Sequence, residues 1–224
     1  MRIVSWNCNG AFRKKFKFIE EFEADIYIIQ ECENPEVTFH KEYREFANNY
    51  LWIGHKTKGL GIFAKDKTIE LKNHEWKDFG LEWFICCRVN NQFNLLGVWG
   101  CRNYIEDVFV YFQIHKEKFT NIVIGGDFNS NTRWDKKHGR RTHSAFVSEL
   151  EKLNLVSSYH VLENEIQGKE SIPTFFLHRH QERKYHIDYF FCEQRINRHI
   201  QIGNFEKWIN LSDHMPICLE LDMN

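Results

Sequence analysis

The sequence predicts an α/β domain in which packed β-sheets are flanked by helices. Three observations carry that reading. Short apolar runs rich in β-branched and aromatic residues recur through both halves of the chain and read as strands. Stretches with apolar residues at helical spacing lie between them, over 12–23, 104–119 and 143–153. Several strands end in a small polar cluster, and the second half repeats this pattern of the first.

Arg2 to Cys8 reads as a strand that closes in Asn7-Cys8-Asn9-Gly10. Phe12, Phe16, Ile19 and Phe22 then fall near helical spacing. Asp25 to Glu31 reads as a second strand ending in Gln30-Glu31. Residues 35–49 are polar with interspersed aromatics and fit a helix or an irregular segment. Tyr50–His55, Gly61–Lys65, Thr68–Leu71, Glu82–Val89 and Phe93–Trp99 follow as short strands, with a hairpin turn at Asn90-Asn91. This middle part reads as consecutive antiparallel strands. A helix over 104–119 places Tyr104, Ile105, Val108, Phe109, Phe112 and Phe119 on roughly one face. Ile122-Val123-Ile124 then runs into Gly125-Gly126-Asp127-Phe128-Asn129. Here a buried strand stops at glycines, which let the backbone approach a ligand. It then presents Asp127 and Asn129 two residues apart, facing one side if the chain stays extended. A loop over 131–143 and a helix over 143–153 come next. Pro173–Leu177 and Tyr185–Cys192 read as two strands joined by a charged turn, and the last strand is Met215–Leu221.

Composition narrows the function classes. The 224 residues are enough for one large domain with a sizeable core. The net charge of −1 supplies no global attraction to nucleic acid or membrane, so any basic surface is local. Twenty Phe and seven Trp argue for a packed globular chain and against disorder. The seven cysteines are odd in number, lack CxxC spacing and sit mostly in apolar runs, which points to a reducing, cytoplasmic setting. The first residues lack the apolar core of a signal peptide, and no apolar run is long enough to span a bilayer. A monomer is assumed.

Collected together, the strand-end clusters are Asn7/Asn9, Glu31, Asp127/Asn129, His186/Asp188 and Asp213/His214. Each alone also fits a solvated turn. Together they offer carboxylates, amides and histidine, an inventory suited to a hard divalent cation and a phosphate ester. Mg²⁺ takes oxygen ligands and often uses only one or two carboxylates. A carboxylate-paired His can act as acid or base. No GxSxG, P-loop, HExxH or GxGxxG is present, which removes support from several other chemistries.

Ser5-Trp6-Asn7-Cys8-Asn9-Gly10, Gln30-Glu31, Gly126-Asp127-Phe128-Asn129, His186-Ile187-Asp188-Tyr189 and Ser212-Asp213-His214-Met215-Pro216 resemble the ordered motifs of the exonuclease–endonuclease–phosphatase superfamily. Exonuclease III and pancreatic deoxyribonuclease belong to it. Gly59 to Lys65 is similar to its glycine-led strand. The resemblance spans residues 5 to 216. It implies a four-layered α/β sandwich with two mixed, mostly antiparallel sheets inside, and hydrolysis of a phosphoester by a metal-activated water. It implies that Glu31 binds Mg²⁺ or Mn²⁺, with Asn9 nearby and Asp213 as a metal-side carboxylate. Asp127 would orient or deprotonate the water, with Asn129 and Asn7 contacting the phosphate and supporting Asp127. His214 would bind or protonate a phosphoryl oxygen, oriented by Asp188.

Two departures stand out. Where many relatives carry a Tyr or His after the strand at Phe93–Trp99, this chain has Trp99-Gly100-Cys101-Arg102-Asn103-Tyr104, so Arg102 or Tyr104 is the candidate phosphate contact. The Tyr-x-Pro-Asn element of abasic-site enzymes is absent there. The loop after the catalytic motif carries Arg133, Trp134, Lys136, Lys137, Arg140 and Arg141. A basic stretch with an aromatic suits nucleic acid, though such runs are often only solvated. His178 and His180 read as a polar face rather than a metal site, and Trp83, Trp99 and Trp208 as core. The leading expectation is a nuclease acting on DNA, with RNA second. The alternatives are a phosphatase for a small or lipid-derived phosphoester, and an inactive binding module of the same fold.

Overall fold

A computed structural model describes residues 1–223. Its fourteen strands are β1 (Arg2–Asn7), β2 (Ile26–Cys32), β3 (Tyr50–His55), β4 (Lys58–Ala64), β5 (Leu71–Asn73), β6 (Phe84–Val89), β7 (Phe93–Trp99), β8 (Ile122–Asp127), β9 (Leu155–Ser157), β10 (Phe175–Phe176), β11 (Lys184–Tyr185), β12 (Asp188–Glu193), β13 (Asn197–Ile202) and β14 (Ile217–Leu221). The α-helices are α1 (Phe16–Ile19), α2 (Lys41–Phe46), α3 (Ile105–His115), α4 (His143–Glu151), α5 (Ser158–Leu162) and α6 (Phe205–Trp208). One sheet has the order β13-β14-β1-β2-β4-β3 and the other β5-β6-β7-β8-β12-β9. In each, one central pair is parallel (β1 with β2, β7 with β8) and all other pairs are antiparallel.

Strand alternation builds the layers. Ile3, Ile26, Ile28, Ile62, Leu95, Val123, Phe190 and Leu219 point between the sheets and form one apolar cluster. Their neighbours Val4, Trp6, Tyr27, Ile29 and Phe63 point outward onto Phe12, Phe16, Tyr43 and Trp208. On the other sheet Leu96, Val98, Ile122, Ile124 and Phe191 point outward onto α3 and α4. These are helix, sheet, sheet and helix layers, the expected four-layered sandwich. Within the second sheet, β8 lies close against its neighbours β12 and β7 where side chains are missing. A Cβ on Gly125 would lie 2.3 Å from the Phe190 ring, and one on Gly126 (φ 156°) only 2.0 Å from the Val98 carbonyl oxygen.

Several boundaries differ from expectation, each for a local reason. The helix expected over 12–23 is broken at Lys15 (φ −123°), which leaves α1 between two 3₁₀ turns. The run of middle strands does not form one meander. β3 and β4 close one sheet, while β5, β6 and β7 open the other. The strand expected at 68–71 is β5, shifted to Leu71–Asn73, and the one expected from Gly61 starts at Lys58. The stretch expected as one strand from Tyr185 to Cys192 is divided. Lys184–Tyr185 pairs with Phe175–Phe176 as a separate ribbon, and Asp188–Glu193 joins the second sheet beside β8. Within the expected loop at 131–143, Thr132–Lys137 is a 3₁₀ turn capped by the Asn131 side chain. Strands β9 and β13 and helices α5 and α6 were not anticipated. Trp83, Trp99 and Trp208 are buried as expected. His178 and His180 lie exposed in and beside a 3₁₀ turn rather than on a strand face.

Among the described residues, no helix is long and apolar enough to cross a membrane.

Candidate active site

Period-two alternation places Asn7 on the inter-sheet face with Ile3 and Ser5, and Asp127 there with Val123 and Gly125. The parallel partner β2 contributes Gln30 at the level of Asn7, and β12 places Asp188 directly opposite Asp127. Polar ends of four central strands therefore gather at one edge of the inter-sheet core. Two carboxylates facing each other across a strand pair repel, so this edge needs compensating donors or charge.

The donors are three N–H groups. Asp127 Oδ2 accepts from Asn7 Nδ2 at 2.9 Å and from Asn129 Nδ2 at 2.9 Å, and Asp127 Oδ1 accepts from the Asn129 backbone N–H at 2.8 Å. Asn129 adopts a left-handed backbone (φ 47°), which folds its amide back onto the carboxylate two residues earlier. The compensating charge is His214. Its Nδ1 faces Asp188 Oδ2 at 3.0 Å and Oδ1 at 3.2 Å, and its Nε2 lies 3.9 Å from Asp127 Oδ2. Burial disfavours the imidazolium, but the Asp188 and Asp127 carboxylates outweigh it and hold the His214 pKa well above the usual histidine range. Burial, and less strongly Asp188, raise the Asp127 pKa above the usual carboxylate range against the pull of His214 and the amide donors. A buried base with a raised pKa next to a charged imidazole suits proton transfer near neutral pH.

The motif around His214 is fixed by backbone and hydroxyl contacts. Ser212 Oγ donates to the Asn7 carbonyl at 2.7 Å and accepts from the His214 backbone N–H at 3.0 Å. Trp6 Nε1 donates to the His214 carbonyl at 2.9 Å. Thr174 Oγ1 accepts from the backbone N–H groups of Ile187 and Asp188 at 3.0 and 3.1 Å. These contacts lock β1, β12 and the 212–215 segment into one unit.

Glu31 reaches the same edge by a different route. Alternation after Gln30 would turn it toward the outer layer. Instead the register of β2 against β4 slips between Gln30 and Cys32, and Glu31 takes a left-handed backbone (φ 62°). A bulge of this kind re-aims a side chain at a cost of order 1 kcal/mol for a non-glycine residue. Glu31 Oε1 thereby comes 3.4 Å from Asn7 Nδ2, and Oε2 comes 2.6 Å from Lys58 Nζ. Asn9 Nδ2 donates to Asp213 Oδ1 at 2.8 Å, and the Asn9 backbone N–H donates to Asn7 Oδ1 at 3.0 Å. Asn7 thus touches Glu31, Asp127 and the Asn9 turn. Glu31 is partly open and Asp213 and Asn9 lie toward solvent, so oxygen donors suited to a hard cation sit at the mouth. Among the described residues, the trio with ligand atoms all within 4.8 Å of one another is instead Asp127, Asp188 and His214. In that buried trio an imidazolium already balances the carboxylates.

The remaining predicted residues divide. Arg133, Lys136, Lys137, Arg140 and Arg141 are exposed. Arg141 lies over α3 beside Phe109 and Gln113, on the outer helical layer. Trp134 is half-buried against Tyr185, ring centres 5.0 Å apart. Arg102 pairs with Glu82 at 2.6 Å, and Tyr104 is exposed at the start of α3. Sequence reasoning missed Phe175 and Tyr185. Phe175 packs on His214 at 4.6 Å and on Tyr185 at 6.3 Å, so half-buried rings run from His214 through Phe175 and Tyr185 to Trp134. The only signal was aromatics placed just before the Asp188 motif and after Pro173. It also missed a buried polar cluster behind the site, where Asn131 Nδ2 donates to the His186 carbonyl and to Glu170, and Glu170 pairs with His160.

No family model and no curated protein sequence matches this chain. Solved structures do. The 3′ phosphatase NExo from Neisseria, bound to a product DNA hairpin, is similar with a TM-score of 0.72 at 17% identity, over 99% of each chain. An AP endonuclease from Archaeoglobus fulgidus is similar with a TM-score of 0.72 at 16% identity, again over 99% of each. The endonuclease domain of TRAS1, a telomere-specific non-LTR retrotransposon, gives 0.64 at 15% identity, over 98% of this chain and 97% of that one. The chain therefore shares the α/β sandwich fold of these structures, the fold its motifs led us to expect.

Proposed function

We propose that this protein is a divalent-metal-dependent phosphodiesterase that hydrolyses nucleic acid, DNA before RNA. The observation that carries the reading is the buried Asp127–His214–Asp188 arrangement, with Asn7 and Asn129 both donating to Asp127. Glu31, Asn9 and Asp213 would hold Mg²⁺ or Mn²⁺, whose oxygen-ligand preference matches their chemistry. When bound, such an ion neutralises phosphate charge and sharpens the nucleophilicity of water. Asp127 takes the proton of the attacking water, which its raised pKa favours. Asn7 and Asn129 hold that carboxylate in one orientation, and Asp188 holds the His214 ring through Nδ1. Nε2 is then free to donate to a phosphoryl oxygen as charge builds there.

Support for nucleic acid comes from the basic, Trp134-bearing segment that follows Asn129, and from fold neighbours described as an AP endonuclease and a 3′ phosphatase bound to product DNA. Intact motif residues argue against an inactive binding module. The packing of both sheets over one inter-sheet core supports reading the chain as one domain, and its free cysteines support a cytoplasmic setting.

The test is incubation with Mg²⁺ and a panel of plasmid, linear and single-stranded DNA, RNA, 3′-phosphorylated and abasic oligonucleotides, and inositol phosphates. We expect cleavage of a DNA substrate that EDTA abolishes and Mg²⁺ or Mn²⁺ restores. Turnover confined to inositol phosphates, or full activity in excess chelator, would overturn the reading.

A further inference from the structure

Lys58 is the first residue of β4, directly after the turn of the β3–β4 hairpin, where it pairs with His55. Its Nζ lies 2.6 Å from Glu31 Oε2 and 5.9 Å from the centre of the Trp99 ring. The contact depends on two local features. The bulge turns Glu31 toward the hairpin end, and Gly59 lets β3 and β4 close tightly, since a Cβ there would lie 2.3 Å from the Ile53 carbonyl oxygen. The partners are unequal. The Glu31 side chain is 18% exposed and held by its bulge, whereas Lys58 is 55% exposed on a flexible stem. The carboxylate is fixed and the ammonium is free to leave.

We propose that Lys58 is a built-in placeholder cation for Glu31, released toward the substrate phosphate when a divalent ion takes the carboxylate. The inference rests on the metal-dependent reading above. An ammonium and a divalent cation repel each other, so they compete for Glu31 even when they use different oxygens. Released, Lys58 stays on a hairpin that flanks the site, with the Trp99 face beneath it, and trades one anionic partner for another. Linkage makes the effect mutual: whatever metal binding contributes to phosphate capture, phosphate capture contributes to metal binding. A surface ion pair with a purely structural role would show no such coupling.

The experiment is Mn²⁺ titration of the metal-free protein, followed by the electron paramagnetic resonance signal of free Mn²⁺. Wild type, Lys58→Met, Lys58→Arg and Glu31→Gln are compared without nucleic acid. Removing the competitor should tighten Mn²⁺ binding by Lys58→Met about tenfold, within the usual range of coupling between sites. Lys58→Arg should stay near wild type, and Glu31→Gln should lose the site. In an Asp127→Asn background, which slows turnover, Mn²⁺ should strengthen binding of a labelled oligonucleotide less in Lys58→Met than with Lys58 present. The salt slope of that binding should flatten by about one unit, the expectation for one lost phosphate contact. Unchanged or weaker Mn²⁺ binding by a folded Lys58→Met protein would overturn the placeholder role while leaving the metal reading intact. Absence of Mn²⁺ binding by wild type would instead overturn the metal reading, and the placeholder role with it.

Discussion

The ends of β1 and β8 are built alike and charged differently. Each is a central strand with one parallel and one antiparallel neighbour. Each ends in a polar residue, Asn7 or Asp127, followed two positions later by an asparagine in left-handed conformation. In each, that asparagine's backbone N–H donates to the side chain before it, at 3.0 Å in one turn and 2.8 Å in the other. The two turns meet across the gap between the sheets, where the Asn7 amide donates to the Asp127 carboxylate. In the proposed reaction the same turn serves once as holder and once as reactive group, and the choice of amide or carboxylate decides which. Two carboxylates at this separation would share a proton, whereas an amide leaves Asp127 ionisable and oriented.

Making the second turn resemble the first is the most damaging change. Asp127→Asn keeps the shape and removes the base, so we expect turnover to fall by about 10²–10⁴-fold with the thermal melt near wild type. Near-normal turnover in a folded variant would show that the carboxylate does not take the proton. The reverse exchange, Asn7→Asp, sets like charges face to face. Its expected cost is about a hundredfold at neutral pH, from a raised pKa of roughly two units in the pair, visible as a displaced acid limb in the pH–rate profile.

The surroundings of the two turns also differ. On the outer face of β1, Trp6 packs on Phe12 and Trp208. Beside β8 and β12 lie His143, His160, His186 and Glu170. Burial lowers the His143 pKa from 6.5 to about 4, with Asp135 and Glu170 opposing. A base with a lowered folded pKa contributes stability that is complete above its unfolded pKa and drains away as pH falls toward the folded one. Between about pH 7 and about pH 5 the protein should lose roughly 2 kcal/mol through this group. Urea unfolding of wild type and His143→Phe at both pH values measures it, and equal losses in the two proteins would remove His143 as the cause. The smallest effect concerns the rim. Arg133→Ala should flatten the salt slope of DNA binding by about one unit, while Arg141→Ala, on the outer layer over α3, should leave it unchanged.

Much of this was legible in sequence because it is local. Ile122 to Ile124 followed by two glycines announces a buried strand, and alternation then determines the side on which Asp127 points. Asn7, Asp127, Asp188 and His214 lie far apart in the chain, yet each stands in or beside a readable apolar run, and the structure brings them together. Illegible features depend on partners distant in sequence. Nothing near Glu31 signals the bulge that turns it, because the slip is defined against β4. Nothing near Lys58 signals that it meets Glu31. The middle strands look like one meander because hairpin chemistry does not reveal where a chain changes sheets. β13 escaped notice because its apolar residues are few, with Ile200 packed inward and Arg198 and His199 facing water.

The contacts that hold Asn7 and His214 have a consequence for biosynthesis. Ser212 Oγ grips the Asn7 carbonyl and Trp6 grips the His214 carbonyl, across 205 and 208 residues of chain. Strand β1 also needs β14, its last-made neighbour, to complete its pairing. A nascent chain still anchored in the ribosome before residue 214 has emerged lacks the imidazole and the clamp that orients Asn7. On the proposed reading, a chain terminated before residue 214 is therefore expected to be inactive even where its first strands have formed.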